Sequence, residues 1–177
     1  IIYKKKRFFD KNINAKKITK KYGTPSYCYS INKLKNNIKE FQNNFKSIDP
    51  IICFSVKSNN NLEILRVIKS YNLGADVVSM GELMIALKAR IPAKKIVFSG
   101  VGKTKEEIAY AIKKKILLIN AESESEIKEI EKIAKKKRKK VNIGIRLNPN
   151  VDAKTNNKIS TGRKIDKFGV DKKNLIK

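Results

Sequence analysis

Lys57 closes an otherwise apolar run, Ile51-Ile52-Cys53-Phe54-Ser55-Val56, and an amine at such a place is a candidate for covalent chemistry. A lysine drawn out of water loses part of its preference for the charged form and can attack a carbonyl to make a Schiff base. Position alone also fits a solvated lysine, since the chain has 35 others. Four further apolar runs end on polar groups: Asp76 with Ser79, Ser99 with Gly100, Asn120 with Glu122, and Arg146 with Asn148. There is no His, so any mechanism that needs a histidine within this chain is excluded. Cys28 and Cys53 cannot make a disulfide framework, no Cys/His set has zinc spacing, and both read as structural. Ser99-Gly100-Val101-Gly102-Lys103-Thr104 ends like a Walker A loop, but that loop needs a glycine where Val97 stands. We read a tight strand-to-helix turn there instead.

The elements that must position these groups repeat. Residues 51–56, 75–79, 96–100, 116–120 and 141–147 are short and rich in branched aliphatics, and their starts lie 24, 21, 20 and 25 residues apart. Such runs suit strands buried on both faces. Between them apolar residues recur at helical spacing: Leu62, Leu65, Ile68; Leu83, Ala86, Leu87; Ile108, Ala111, Ile112; and Ile127, Ile130, Ile133, Ala134. Asn60, Ser79, Thr104 and Ser123 each stand three residues before a glutamate, at Glu63, Glu82, Glu107 and Glu126, which is capping-box spacing. Strand, capped helix and strand at this rhythm predict parallel β/α units with right-handed crossovers. Chemistry then sits at the carboxyl ends of the strands, where Lys57 and the polar groups fall.

Five units occupy residues 51–150, against the ~250 residues of a closed (β/α)8 barrel. We expect an α/β chain holding about five of the eight units, a partial TIM barrel; a complete five-stranded doubly wound sheet also fits the length. Residues 1–48 read as an N-terminal strand (26–30) and an amphipathic helix (Leu34, Ile38, Phe41, Phe45), and residues 49–177 as the partial barrel. A sixth helix is expected near Asp171. The chain opens without Met and stops within that helical pattern, so we expect part of a longer protein.

With 42 Lys plus Arg against 16 Asp plus Glu, the formal charge is +26. A basic surface can bind nucleic acid by releasing counterions. Here 36 of the 42 are Lys, spread along the whole chain beside abundant Asn and Ile, a pattern of A/T-rich codon usage. Base readout favours Arg, so a nucleic-acid partner is unlike this composition. The run at 135–140 closes a helical pattern, where cations complement the helix dipole. No apolar run approaches the ~18–20 residues of a membrane span, and the 41% apolar content can bury a core.

The segments YGTPSYCYS (22–30), ICFSVKSNNNLEILR (52–66), GADVVSMGEL (74–83), IVFSGVGKT (96–104), LLINAESESE (117–126) and IRLNPNVDAKTNNKISTGRKIDKFGV (145–170) closely resemble the diaminopimelate decarboxylase family. These are pyridoxal-phosphate enzymes of the alanine-racemase-like class, which pair a (β/α)8 barrel with a C-terminal β domain. The resemblance runs from about residue 22 to 170. It implies cytoplasmic decarboxylation of meso-diaminopimelate to L-lysine, with pyridoxal 5'-phosphate as cofactor and a homodimer as the working form. Lys57 would carry the cofactor as a Schiff base. Asp76, Glu82, Glu122 and Arg146 would belong to the cofactor-side shell, although Glu82 also suits a capping box. Ser160, Thr161, Gly162, Lys167, Phe168 and Gly169 match family motifs without a role we can assign.

The departures are Ser58 and Asn60 in the lysine motif and Asn156 where the family often has His. The ring-stacking His, glycine-rich phosphate loop, ring-nitrogen Glu, catalytic Cys and C-terminal β domain of the family have no counterpart in residues 1–177, so weak activity is expected from these alone. Alternatives are a sister decarboxylase acting on ornithine, arginine or a carboxylated polyamine such as carboxynorspermidine, or a cationic nucleic-acid-binding module.

Overall fold

The computed structural model describes residues 2–4, 7–10, 13–152, 154, 162–163 and 169–171. The chain divides into two compact units, Ile1–Ser47 and Ile48–Lys177. In the first, β1 (Ile2–Lys4), β2 (Arg7–Asp10) and β3 (Ile13–Asn14) make an antiparallel sheet in that order. Two helices follow, α1 (Ala15–Tyr22) and α2 (Ile31–Phe45). The Asn14 side chain caps α1 by accepting the Lys16 N–H at 3.0 Å.

Residues 26–30, expected as a strand, form none. A strand exists through its pairing, and this segment has no ladder partner among the described residues; Tyr27 is 92% exposed. Ser30 serves instead as the cap of α2, accepting the Lys33 N–H at 3.3 Å. The strands of this unit lie earlier, in a stretch whose alternation Lys4-Lys5-Lys6-Arg7 interrupts.

The second unit runs β4 (Cys53–Ser55), α3 (Leu62–Ser70), β5 (Gly74–Val77), α4 (Met80–Lys88), β6 (Ile96–Phe98), α5 (Lys105–Lys114), β7 (Leu118–Ala121), α6 (Glu124–Lys136) and β8 (Ile143–Ile145). The five strands are parallel and stand side by side in chain order. A doubly wound sheet reverses its strand order at a switch point, and this one does not. With right-handed crossovers and no reversal, every helix falls on one face, the arrangement of a barrel sector.

That face holds the core. Ile64, Leu65 and Ile68 of α3, Leu83 and Ala86 of α4, Ile108, Ala111 and Ile112 of α5, and Ile130 of α6 are buried with Ala75, Val77, Ile96, Phe98, Ile119 and Ala121 of the strands. Burying each of the larger side chains contributes about 1.5–3 kcal/mol. Gly74 admits a close approach between strands: a Cβ there would stand 2.1 Å from the Lys95 carbonyl oxygen and 2.8 Å from Cys53 Sγ.

The helix starts take their side-chain caps as the spacing predicts with one shift, although Glu82 and Glu126 accept from the Val78 and Glu122 N–H groups rather than from the cap's own. Thr104 and Glu107 form the reciprocal box, while Asn61 rather than Asn60 caps α3, accepting from the Glu63 and Ile64 N–H groups. Asn59 Oδ1 takes the Asn61 N–H at 3.0 Å and moves the cap one residue on. Beyond β8 the chain breaks at Arg146 and resumes as β9 (Leu147–Asn148), which pairs in parallel with β10 (Val170–Asp171). Asp171 thus lies on a strand rather than at a helix start; the residues after it lie outside those described. Arg146 links the two ladders, its N–H donating to Ala121 O (2.9 Å) and its carbonyl accepting from Val170 N (2.7 Å). Among the described residues no helix is long and apolar enough to cross a membrane.

Candidate active site at the strand ends

Side chains alternate along a strand, so the buried members facing the helices identify the opposite, inner face. Ala75 and Val77, Ile96 and Phe98, and Ile119 and Ala121 are buried. Asp76, Ser99, Asn120 and Glu122 therefore share the inner parity, and Arg146 has it on the next strand.

Three of these make one row across β5, β6 and β7. Ser99 Oγ donates to Asp76 Oδ1 at 2.6 Å and accepts from Asn120 Nδ2 at 3.0 Å. Gly144 leaves room for the row, because a Cβ there would stand 2.4 Å from Asn120 Oδ1.

Glu122 is the only polar residue buried as a whole among the described residues, 4% exposed. Its carboxylate receives Arg146 Nη1 at 3.2 and 3.3 Å and the Gly100 N–H at 3.2 Å. A buried carboxylate needs such donors to remain charged. The guanidinium is more open, at 38%.

Lys57 lies on a 3-10 turn, Val56–Ser58, one step past the end of β4 at Ser55. The apolar run of 51–56 thus stops being a strand two residues before the lysine. Fully buried Val56 anchors the turn, the Asn59 N–H closes it on Val56 O at 3.0 Å, and Ser58 Oγ donates to Ser55 O at 2.7 Å. Lys57 itself is exposed, and no ion pair or hydrogen bond of its ammonium is found among the described residues. The desolvated amine read from the run is not what the described residues provide.

Glu82 stands apart from both clusters. Its Oε2 accepts the Val78 N–H at 2.9 Å while its own N–H donates to Ser79 Oγ at 3.2 Å, so its carboxylate is committed to the start of α4. The Cys53 thiol is pushed up by burial and then by the negative charge of Asp76, against the pull of Lys95, and stays protonated at neutral pH. Ser160, Thr161, Lys167, Phe168 and Asn156 lie outside the described residues, whereas the Gly162 carbonyl accepts from Val151 N at 2.9 Å.

Lys103, set aside with the Walker-like turn, is the residue the sequence reading missed. Its side chain is 1% exposed. Its Nζ donates to Gly100 O (2.6 Å), Asn120 O (2.7 Å) and Glu126 Oε1 (2.8 Å). Two of those partners are 17 and 23 residues away, so nothing local separates it from the other lysines.

The fold and these strand-end groups define a β/α-barrel domain whose polar site lies at the carboxyl ends of its strands. The model of the family described as pyridoxal-dependent decarboxylase, pyridoxal binding domain, matches residues 31–177, and the chain belongs to that family. It is 46% identical to the diaminopimelate decarboxylase of Helicobacter pylori strain J99 over 92% of the chain and 40% of the relative. It is 41% identical to that of Aquifex aeolicus, over 96% and 40%. The crystal structure of the Helicobacter pylori enzyme complexed with L-lysine superposes with a TM-score of 0.89 at 45% identity, covering 92% of this chain and 41% of that one. The chain therefore spans about 40% of the length of these curated relatives.

The residues present fit a pyridoxal cofactor. Lys57 offers an amine uncommitted among the described residues for its carbonyl, and Arg146 offers a held cation for an anionic group. The Asp76–Ser99–Asn120 row offers an ordered polar floor on the same strand ends.

Proposed function

We propose that this chain supplies the lysine-bearing part of the site of a diaminopimelate decarboxylase, which converts meso-diaminopimelate to L-lysine and CO2. The observation that carries the reading is Lys57, uncommitted among the described residues at the end of β4 in a chain of the pyridoxal-binding family. The identity to relatives named for that activity gives the substrate class. When bound, pyridoxal phosphate supplies a sink for the electron pair left as the carboxylate departs.

The chain's own residues have separate tasks. Lys57 Nζ holds the cofactor and, once free of it, can carry a proton. Asp76 is kept in one orientation by Ser99, whose hydroxyl is itself fixed by Asn120. Glu122 holds the Arg146 guanidinium at the end of β8. A homodimer in the cytoplasm belongs to the same reading and rests on family membership.

The test incubates the intact polypeptide that carries these residues with pyridoxal phosphate and meso-diaminopimelate, with ornithine and arginine as competing substrates. Lysine release and the visible absorbance of lysine-bound cofactor are followed, and Lys57→Ala is the control. Both signals should vanish in the variant. Full activity in Lys57→Ala, or turnover of ornithine or arginine in place of meso-diaminopimelate, would overturn the assignment.

A further inference from the structure

A buried ammonium is an expensive way to join two strands that already pair through their backbones. Val97 and Phe98 of β6 are in register with Leu118 and Ile119 of β7, so that ladder does not need Lys103. Drawing the charge out of water is offset only because all three of its N–H donors find acceptors. The arrangement is also specific in where it leads.

Gly100 is held on both sides: its carbonyl accepts from Lys103, and its N–H donates to Glu122 Oε1. Its φ of +102° turns the two groups that way, a backbone conformation that favours glycine. Glu126 is likewise divided. Oε1 takes Lys103, and Oε2 takes the Glu122 N–H at 2.8 Å. Both routes from the ammonium converge on Glu122, whose carboxylate receives Arg146.

From this we infer that Lys103 is a positioning residue, which acts through Gly100 and Glu126 to fix the Glu122–Arg146 pair and hence the guanidinium at the cofactor end of the barrel. The inference rests on the cofactor reading above and extends it to a residue with no contact to the cofactor. Lys103 does nothing at the reacting atoms; its effect travels through Arg146.

A double-variant cycle in the intact polypeptide tests this, read as the dissociation constant for pyridoxal phosphate and, separately, as kcat and KM. Lys103→Met should weaken cofactor binding about tenfold, a coupling of ordinary size for residues in one network. Arg146→Lys should weaken it as well. The two together should be no weaker than Arg146→Lys alone, because Lys103 acts through Arg146. Effects that multiply, as two unrelated lesions would, overturn the inference; so does parental affinity in Lys103→Met.

Should Lys103→Met fail to fold, Glu126→Gln carries the same expectation. It keeps an oxygen for Lys103 but replaces the acceptor of the Glu122 N–H. Its loss must also disappear in the Arg146→Lys background, and a loss that persists there overturns the inference. A parent that binds pyridoxal phosphate but releases no lysine from meso-diaminopimelate removes the substrate assignment and leaves the cycle readable. A parent that binds no pyridoxal phosphate removes both.

Discussion

Ser99 sits between two partners of different kinds, donating to a carboxylate and accepting from an amide. A hydroxyl is the smallest side chain that can do both at once. Ser99→Ala strands one oxygen of Asp76 and one donor of Asn120, which should cost about 1–3 kcal/mol where those groups stay shielded from water. Cofactor affinity should fall several-fold while Lys57 still attaches the cofactor. Urea unfolding gives the first quantity, and titration with pyridoxal phosphate gives the second. Lys57→Ala should behave in the opposite sense. The lysine is exposed and has no partner among the described residues, so its removal should abolish the visible absorbance of bound cofactor and leave the unfolding midpoint where it was.

At the scale of elements, the capping box of α5 carries a charge that titrates. Burial opposes ionisation of Glu107, but the N–H groups of Thr104 and Met80, the Thr104 hydroxyl and the Lys103 charge together outweigh it and hold the carboxyl below the usual glutamate range. A carboxylate lowered in the folded state adds stability above its unfolded pKa and loses it as pH falls through the folded one. Glu107→Ala should therefore cost about 1 kcal/mol near neutrality, the usual worth of a cap. The gap to the parent should close as the pH falls below the glutamate range, as urea unfolding at several pH values would show. Glycines can be ranked in the same way. Gly74→Ala drives a Cβ into the Lys95 backbone carbonyl and should destabilise the sheet by about 1–3 kcal/mol, an overpacking cost. At Gly144 the obstacle is the Asn120 side chain, so Ala there should disturb the polar row more than the fold. The β/α repeat and most of its caps were legible because they are local: an apolar run, a cap residue, a glutamate three further on. Residues 26–30 and β10 were not, because strand identity depends on a neighbour. Lys103 and the Glu122–Arg146 pair were hidden for the same reason, their partners arriving only when strand ends about 20 residues apart are drawn together.

At the scale of the whole molecule, 26 uncompensated positive charges are the dominant electrostatic fact. Five ion pairs are found among the described residues, and two of those, Arg66 with Glu63 and Lys135 with Glu131, join neighbouring turns of a single helix at the surface. Such exposed pairs contribute about 0–1 kcal/mol each and cannot neutralise the remainder. A compact state with so much like charge repels itself, and salt relieves the repulsion because the Debye length shrinks from ~30 Å at ~0.01 M to ~10 Å at ~0.1 M. Raising sodium chloride across that range should therefore increase the melting temperature, with most of the gain spent before physiological ionic strength. Sodium sulfate would give a misleading answer, since it also strengthens apolar burial. The Lys103–Glu126 contact should respond little, because both partners are enclosed, whereas Arg146 is open enough for its pair with Glu122 to be partly screened. A melting temperature that fell with added sodium chloride would mean that attractive pairs, rather than the surplus of lysine, govern the folded state.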